Sequence, residues 1–230
     1  MKRWTLLLAI FSLLTLVPAN AQHYVGVIGG LHLADMRLNE FDPGIDEIEL
    51  KNRSLWGAGA AIGLQLNRNL FLHFEPMFLQ KGSMVVDSDI DDPDFDVAMD
   101  FIEIPAMLKF EFGNTAVKPF FMGGASIGFL LNSEVELESG GLTFKGDIKD
   151  LTKNTNFGLV FGGGFSIAAG KATILLEGLY NHGLTNLNKG GEFELRSGDI
   201  VTDGGEIDSR DEFFTKGIQI QAGIVFPLGG

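Results

Sequence analysis

The sequence predicts an all-β protein, an eight-stranded antiparallel up-and-down transmembrane β-barrel with long external loops, in which closure satisfies every backbone donor and acceptor within the sheet. Three observations lead there. Phe101 to Phe112, FIEIPAMLKFEF, is apolar at every second residue and mostly charged or small between, which is the period of a two-faced strand. After residue 21 no apolar run reaches the roughly 18 residues of a membrane helix, yet 45% of the chain is hydrophobic and it holds 31 glycines and 20 phenylalanines. Short and long connections alternate between the periodic segments, as on the periplasmic and external sides of an outer-membrane barrel.

The first residues, MKRWTLLLAIFSLLTLVPANAQ, place Lys2 and Arg3 ahead of an apolar run and end on Ala19-Asn20-Ala21. This is the pattern of a secretory signal peptide cleaved after Ala21, so residues 1–21 are set aside and 22–230 form the barrel domain. The chain has no cysteine, hence no lipid-anchored cysteine at the cleavage site and no disulfide. A formal net charge of −13 excludes nucleic acid and other anionic polymers as partners, since these require a basic surface.

Each strand follows from alternation. In the first, Tyr24 to Ala34, Val25, Val27, Leu31 and Leu33 oppose Gly26, Ile28, Gly30 and His32. The second, Leu55 to Leu66, turns through Asn67-Arg68-Asn69 into the third, where Leu70, Leu72, Phe74 and Phe78 oppose His73, Glu75, Met77 and Lys81. The fourth is Phe101 to Phe112, with Ile102, Ile104, Leu108 and Phe110 outward and Glu103, Lys109 and Glu111 inward. The fifth runs from Lys118 to Leu131, the sixth from Phe157 to Ile167, the seventh from Ala172 to Leu184 with Glu177 inward, and the eighth from Phe214 to Phe226 with Gln219 and Gln221 inward. An even number of strands puts both termini on the periplasmic side and the polar segments around Asp46, Asp91, Gly140 and Asp203 outside the cell. Pro76 and Pro105 lack the ladder donor, so a bulge is expected at each.

Several of these stretches, LHFEPMFLQKG from Leu72, IEIPAMLKF from Ile102, PFFMGGASIGFLL from Pro119, FGLVFGGGFSI from Phe157 and YNHGLTNL from Tyr180, resemble the PorT-like outer-membrane β-barrel proteins of diderm bacteria. The resemblance implies the barrel architecture and the outer membrane of a Gram-negative cell. It implies no single activity, because that family is functionally mixed. Leu179 stands where the family has arginine, and the final PLGG lacks a terminal aromatic.

The polar groups expected to share the lumen are His73, Glu75, Glu103, Lys109, Glu111 and Glu177, with His32, Lys81, Gln65, Gln219 and Gln221 beside them. Lysines and carboxylates pairing across a narrow eight-stranded interior form a plug, and Lys109 is expected to meet Glu75 or Glu103. An acid/base site built on His73 and Glu75 is the sharper alternative, but no nucleophile motif accompanies it. Asp87, Asp89 and Asp91 have the spacing of the first ligands of a calcium loop, although Asp92 occupies the glycine position and Ala98 the closing glutamate, which makes them a weak calcium candidate and no EF-hand. No cofactor is expected. The chain reads as a monomer embedded in membrane lipid that meets a protein or surface glycan through acidic external loops. A narrow solute channel is the alternative, and an outer-membrane enzyme the least supported.

Overall fold

Alternating side chains put half of each strand against the interior and half against the surroundings, and the computed structural model describes this arrangement for residues 22–39, 50–51, 53–85, 94–139 and 142–228. The elements in chain order are β1 (His23–Asn39), β2 (Leu50–Lys51), β3 (Arg53–Gln65), β4 (Leu70–Phe74), β5 (Met77–Val85), β6 (Asp94–Glu111), β7 (Val117–Ser139), β8 (Leu142–Asp147), β9 (Thr155–Ala169), β10 (Ala172–Gly183), β11 (Gly191–Ser197), β12 (Ile200–Ile207) and β13 (Glu212–Leu228). All pairings are antiparallel. They close a ring of eight staves: β1, β3, β4 continued by β5, β6, β7, β9, β10 and β13, which returns to β1 from His23↔Leu228 to Asn39↔Glu212. The ring leaves no free edge along these staves.

The outward side chains are large and apolar. Val27 is 63% exposed, Ile220 60% and Leu31 59%, and Trp56, Leu108, Phe121 and Phe161 stand on the same outer surface. An apolar band of this extent requires a nonaqueous neighbour, and an antiparallel ring with such a band is a membrane-spanning β-barrel. Among the described residues no helix is long and apolar enough to cross a membrane.

Among the described residues four strands, β2, β8, β11 and β12, lie outside the ring, which corrects the simple count of eight. β7 continues past the barrel and turns into β8, β8 pairs with β11 at Lys145↔Arg196, and β11 pairs with β12. The described parts of 132–155 and 185–212, expected to be polar loops, therefore carry the same sheet outward beyond the ring. Val135, Ile148 and Leu195 are buried beneath it, with Val97, Leu137, Phe144 and Phe193 packed around them. Net polarity hid a period-two pattern whose apolar members cover only this small core.

The prolines behave differently from expectation. The third stave is interrupted at Glu75-Pro76, but Phe74↔Ala106 and Met77↔Glu103 continue one register across the gap, and so do Ile62↔Phe74 and Gly59↔Met77 on the other side. Pro76 thus breaks the strand without inserting a residue. Pro105 remains within β6, paired with Ser126, and its carbonyl accepts the Glu75 N–H at 3.3 Å. Its missing donor faces the same gap, because the donor and acceptor of a ladder residue point to one side. The irregularity in β6 and β7 lies instead at Asp100/Phe101, where the two strands pass beyond the ring.

The tight turns sit at the opposite end. Asn67 Oδ1 accepts from the backbone of Asn69 and Leu70, each at 3.0 Å, closing the β3–β4 turn with an Asx contact. Gly113 and Gly170 take φ of 79° and 66° in the next two turns, a conformation that glycine adopts without a side-chain clash.

Candidate functional site

Inward parity gathers the polar side chains in the lumen, and the order of staves decides which meet. His73 and Glu75 lie two residues apart at the end of β4, so both face inward and touch, with His73 Nε2 2.7 Å from Glu75 Oε1. The other imidazole nitrogen, Nδ1, is 2.8 Å from the Tyr24 hydroxyl of β1. Tyr24 lies over Gly63 of β3, where a Cβ would come within 2.1 Å of the ring; the missing side chain is the space the ring occupies. From across the lumen Glu177 of β10 joins the pair. Gln221 of β13 donates its amide to Glu75 Oε2 and to Glu177 Oε2, both at 2.8 Å, and is itself held by Gln219 at 3.1 Å. Asn181 in turn donates to Gln219 at 2.8 Å.

Lys109 faces the same interior from β6 but does not pair with Glu75 or Glu103. Its Nζ lies 3.3 Å from Glu111 Oε1 and donates to Ser166 Oγ at 3.1 Å and Tyr24 Oη at 3.4 Å. Phe120 supplies a ring face 4.0 Å from the same nitrogen. The reason for the different partner is register: Lys109 stands opposite Phe71 and two residues from Glu111 on one face, whereas Glu103 lies six residues up the strand. Glu103 pairs instead with Lys81 of β5, near His32, whose Nδ1 contacts the Gln80 carbonyl at 2.8 Å. The polar set therefore divides into a lower cluster around Lys109, His73, Glu75, Glu111 and Glu177 and an upper Lys81–Glu103 pair. Gln65 stays at the mouth beside the tight turns, half-buried. Asp87, Asp89 and Asp91, the segment around Asp46, and Gly140 itself lie outside the described residues, as do residues 1–21.

Between the clusters the lumen is filled by side chains. Phe101, Met107, Leu79, Leu175 and Leu179 are fully buried, and Met107, Phe120, Met122, Val160 and Leu179 form one continuous apolar layer. Lys109, His73 and Glu75 are themselves completely shielded from solvent. Glycines make this density workable: at Gly164 a Cβ would lie 1.9 Å from the Leu176 carbonyl and 2.9 Å from the tip of Phe120.

The extension of the sheet beyond the ring bears a different surface. A groove of about 1080 Å³ runs along it, lined by Glu134, Asp147, Asp150, Glu192, Glu194 and Asp203 against Lys145 and Arg196. Arg196 is engaged by Glu194 at 2.9 Å, and Lys145 by Glu136, which leaves the groove acidic. Beyond the end of β12, Arg210 donates two hydrogen bonds from Nε to Asp208 at 3.0 and 2.9 Å, and these hold the Asp208 carboxyl at about 2, below its ordinary value. Sequence reasoning placed acidic residues here without a shape for them, because the strands that form the groove were read as loops.

A closed antiparallel ring with an apolar exterior and a polar, packed interior defines a transmembrane β-barrel protein. The sequence matches the outer membrane protein beta-barrel domain over residues 20–189, and the chain belongs to that family. Among solved structures it is similar to the outer membrane protein OprG from Pseudomonas aeruginosa, at 10% identity over 91% of this chain and 97% of that one, with a TM-score of 0.50. It is also similar to Neisserial surface protein A, at 14% identity over 90% and 97% with a TM-score of 0.43, and to Ail of Yersinia pestis, at 16% identity over 89% and 99% with a TM-score of 0.40. At 10% identity the likeness to OprG is one of fold alone. No curated protein matches the chain in sequence.

Proposed function

We propose that this chain is a plugged outer-membrane barrel that acts as an interaction protein, holding its external acidic sheet above the membrane for a cationic partner. The observation that carries the reading is the groove between β7, β8, β11 and β12, where six carboxylates face two bases that are already paired. Potential focused in an acidic concavity favours a basic ligand and speeds its arrival. A polycationic protein segment fits this chemistry better than an anionic glycan. The ring of eight staves is the membrane anchor of this display and its lumen carries no solute; a narrow channel has less support, since the apolar layer and the Lys109 cluster fill the interior. The PorT-like stretches, in particular the glutamate-proline-lysine strand, favour that branch of the family, and residues 1–21 favour export by a cleaved signal peptide.

The test is binding of a polylysine probe to proteoliposomes bearing the oriented barrel. Binding that weakens with salt and falls about tenfold or more on combining Glu192→Lys with Asp203→Lys is expected, two reversed charges each acting at close range. Equal binding by the wild type and the doubly reversed protein would remove the groove from the account.

A further inference from the structure

We propose that His73, Glu75 and Glu177 form a buried site for a divalent first-row transition-metal ion of the zinc type in the barrel lumen. Each of the three offers one ligand atom within 4.8 Å of the others. One imidazole and two carboxylates, with room for a water or further ligand, is a donor set suited to zinc. Their outer contacts are those of oriented ligands. Tyr24 holds His73 by Nδ1 at 2.8 Å, leaving Nε2 toward the carboxylates, and Gln221 occupies the Oε2 atoms of Glu75 and Glu177 at 2.8 Å each, leaving their Oε1 atoms. Fixing the remote atoms of metal ligands in this way is what outer-shell partners do.

Two further observations point to a cation. Glu177, only 4% exposed, keeps its Oε1 buried with no hydrogen-bond partner. The cluster is also short of positive charge: among the described residues Lys109 forms its ion pair with Glu111, and the one ion-pair contact of Glu75 or Glu177 is to His73. Two adjacent carboxyls removed from water need a proton or a cation between them. A zinc ion about 2.0–2.1 Å from each ligand atom would separate those atoms by roughly 3.3 Å, so His73 Nε2 and Glu75 Oε1, now 2.7 Å apart, part by a few tenths of an ångström. The imidazole proton then resides on Nδ1, and the Tyr24 oxygen, already a partner, accepts it. A cavity of about 640 Å³ opens at the mouth beside the tight turns and ends at Tyr24 and Lys109, so an ion reaches the ligands by displacing those two side chains or is taken up as the barrel folds. The site is independent of what binds the external face.

The experiment uses the folded full-length barrel in detergent, stripped with chelator, incubated with zinc chloride and desalted before metal analysis. One zinc per chain should be retained. Cobalt in its place should give visible absorption of a low-symmetry site with nitrogen and oxygen ligands. His73→Gln and Glu177→Gln should each lower zinc affinity more than about 100-fold, and Tyr24→Phe about tenfold through loss of orientation; Glu206→Gln, exposed on β12 and lining neither site, should leave it unchanged. No retained zinc, which would leave a shared proton between the two carboxyls, overturns the site, and so does retention that survives both ligand substitutions. Should the substituted chains fail to fold, anomalous diffraction from zinc-loaded wild type decides: a peak between His73 and Glu177 supports the site, and its absence there excludes it.

Discussion

Lys109 and Glu111 stand two residues apart on the inward face of β6 and form an ion pair at 3.3 Å, with the ammonium also 4.0 Å from the Phe120 ring. Neither residue has appreciable contact with solvent. Charges in such a place are stable only as a set, because the desolvation of each is offset by the other and by the Ser166 and Tyr24 oxygens.

Lys109→Ala should therefore destabilise the barrel, toward the lower end of the about 3–5 kcal/mol that a stranded buried charge costs, since Glu111 loses its nearest cation and keeps only Lys118 at 3.6 Å. The pair Lys109→Met with Glu111→Leu should cost much less, because both charges go and the volume stays. Urea unfolding in detergent micelles of the two single variants and the double variant gives the coupling. Losses that simply add would mean that the two side chains do not interact.

Gly63 and Tyr24 give a second coupling of the opposite kind. A methyl group at 63 would enter the Tyr24 ring, and displacing a packed ring costs about 1–3 kcal/mol. Gly63→Ala should lose that stability in the wild type and regain most of it when Tyr24→Leu is present. Unfolding midpoints measured with both residues varied check this, and an unchanged penalty in the leucine background would place the strain elsewhere.

The orientation follows from the turns. Arg68 lies in the short β3–β4 turn and Asp203 on the outer sheet, and both are exposed at opposite ends of the molecule. Cysteines introduced singly at these positions should react differently with a membrane-impermeant reagent on intact cells. Labelling at 203 and protection at 68 is the expected result; the reverse pattern would invert the barrel.

Much of the barrel was legible in the sequence because one face of each stave must meet lipid. In β1, Val25, Val27 and Leu31 could be assigned outward and Ile28 and His32 inward from alternation alone, and burial agrees. The same holds for Ile102 and Leu108 against Glu103 and Lys109 in β6. What alternation cannot supply is the relation between strands. Glu177 is 102 positions from Glu75 in the chain, and their common partner Gln221 lies further still; only the ring brings β4, β10 and β13 around one point. Glu111, two residues from Lys109 on the same face, was within reach of alternation; what the sequence did not show is that Phe71 rather than an acid stands opposite the lysine on β4. The external sheet escaped notice because β8, β11 and β12 bury one face on a small core and leave most of their charge in water.

The central claim is that side chains close the lumen, and single-channel recording in planar bilayers tests it most directly. With the folded barrel inserted and shown to be present by its heat-modifiable migration, the account predicts a baseline equal to that of the bare bilayer, without steady current steps. Steps of constant size that appear with insertion and persist under voltage would contradict it.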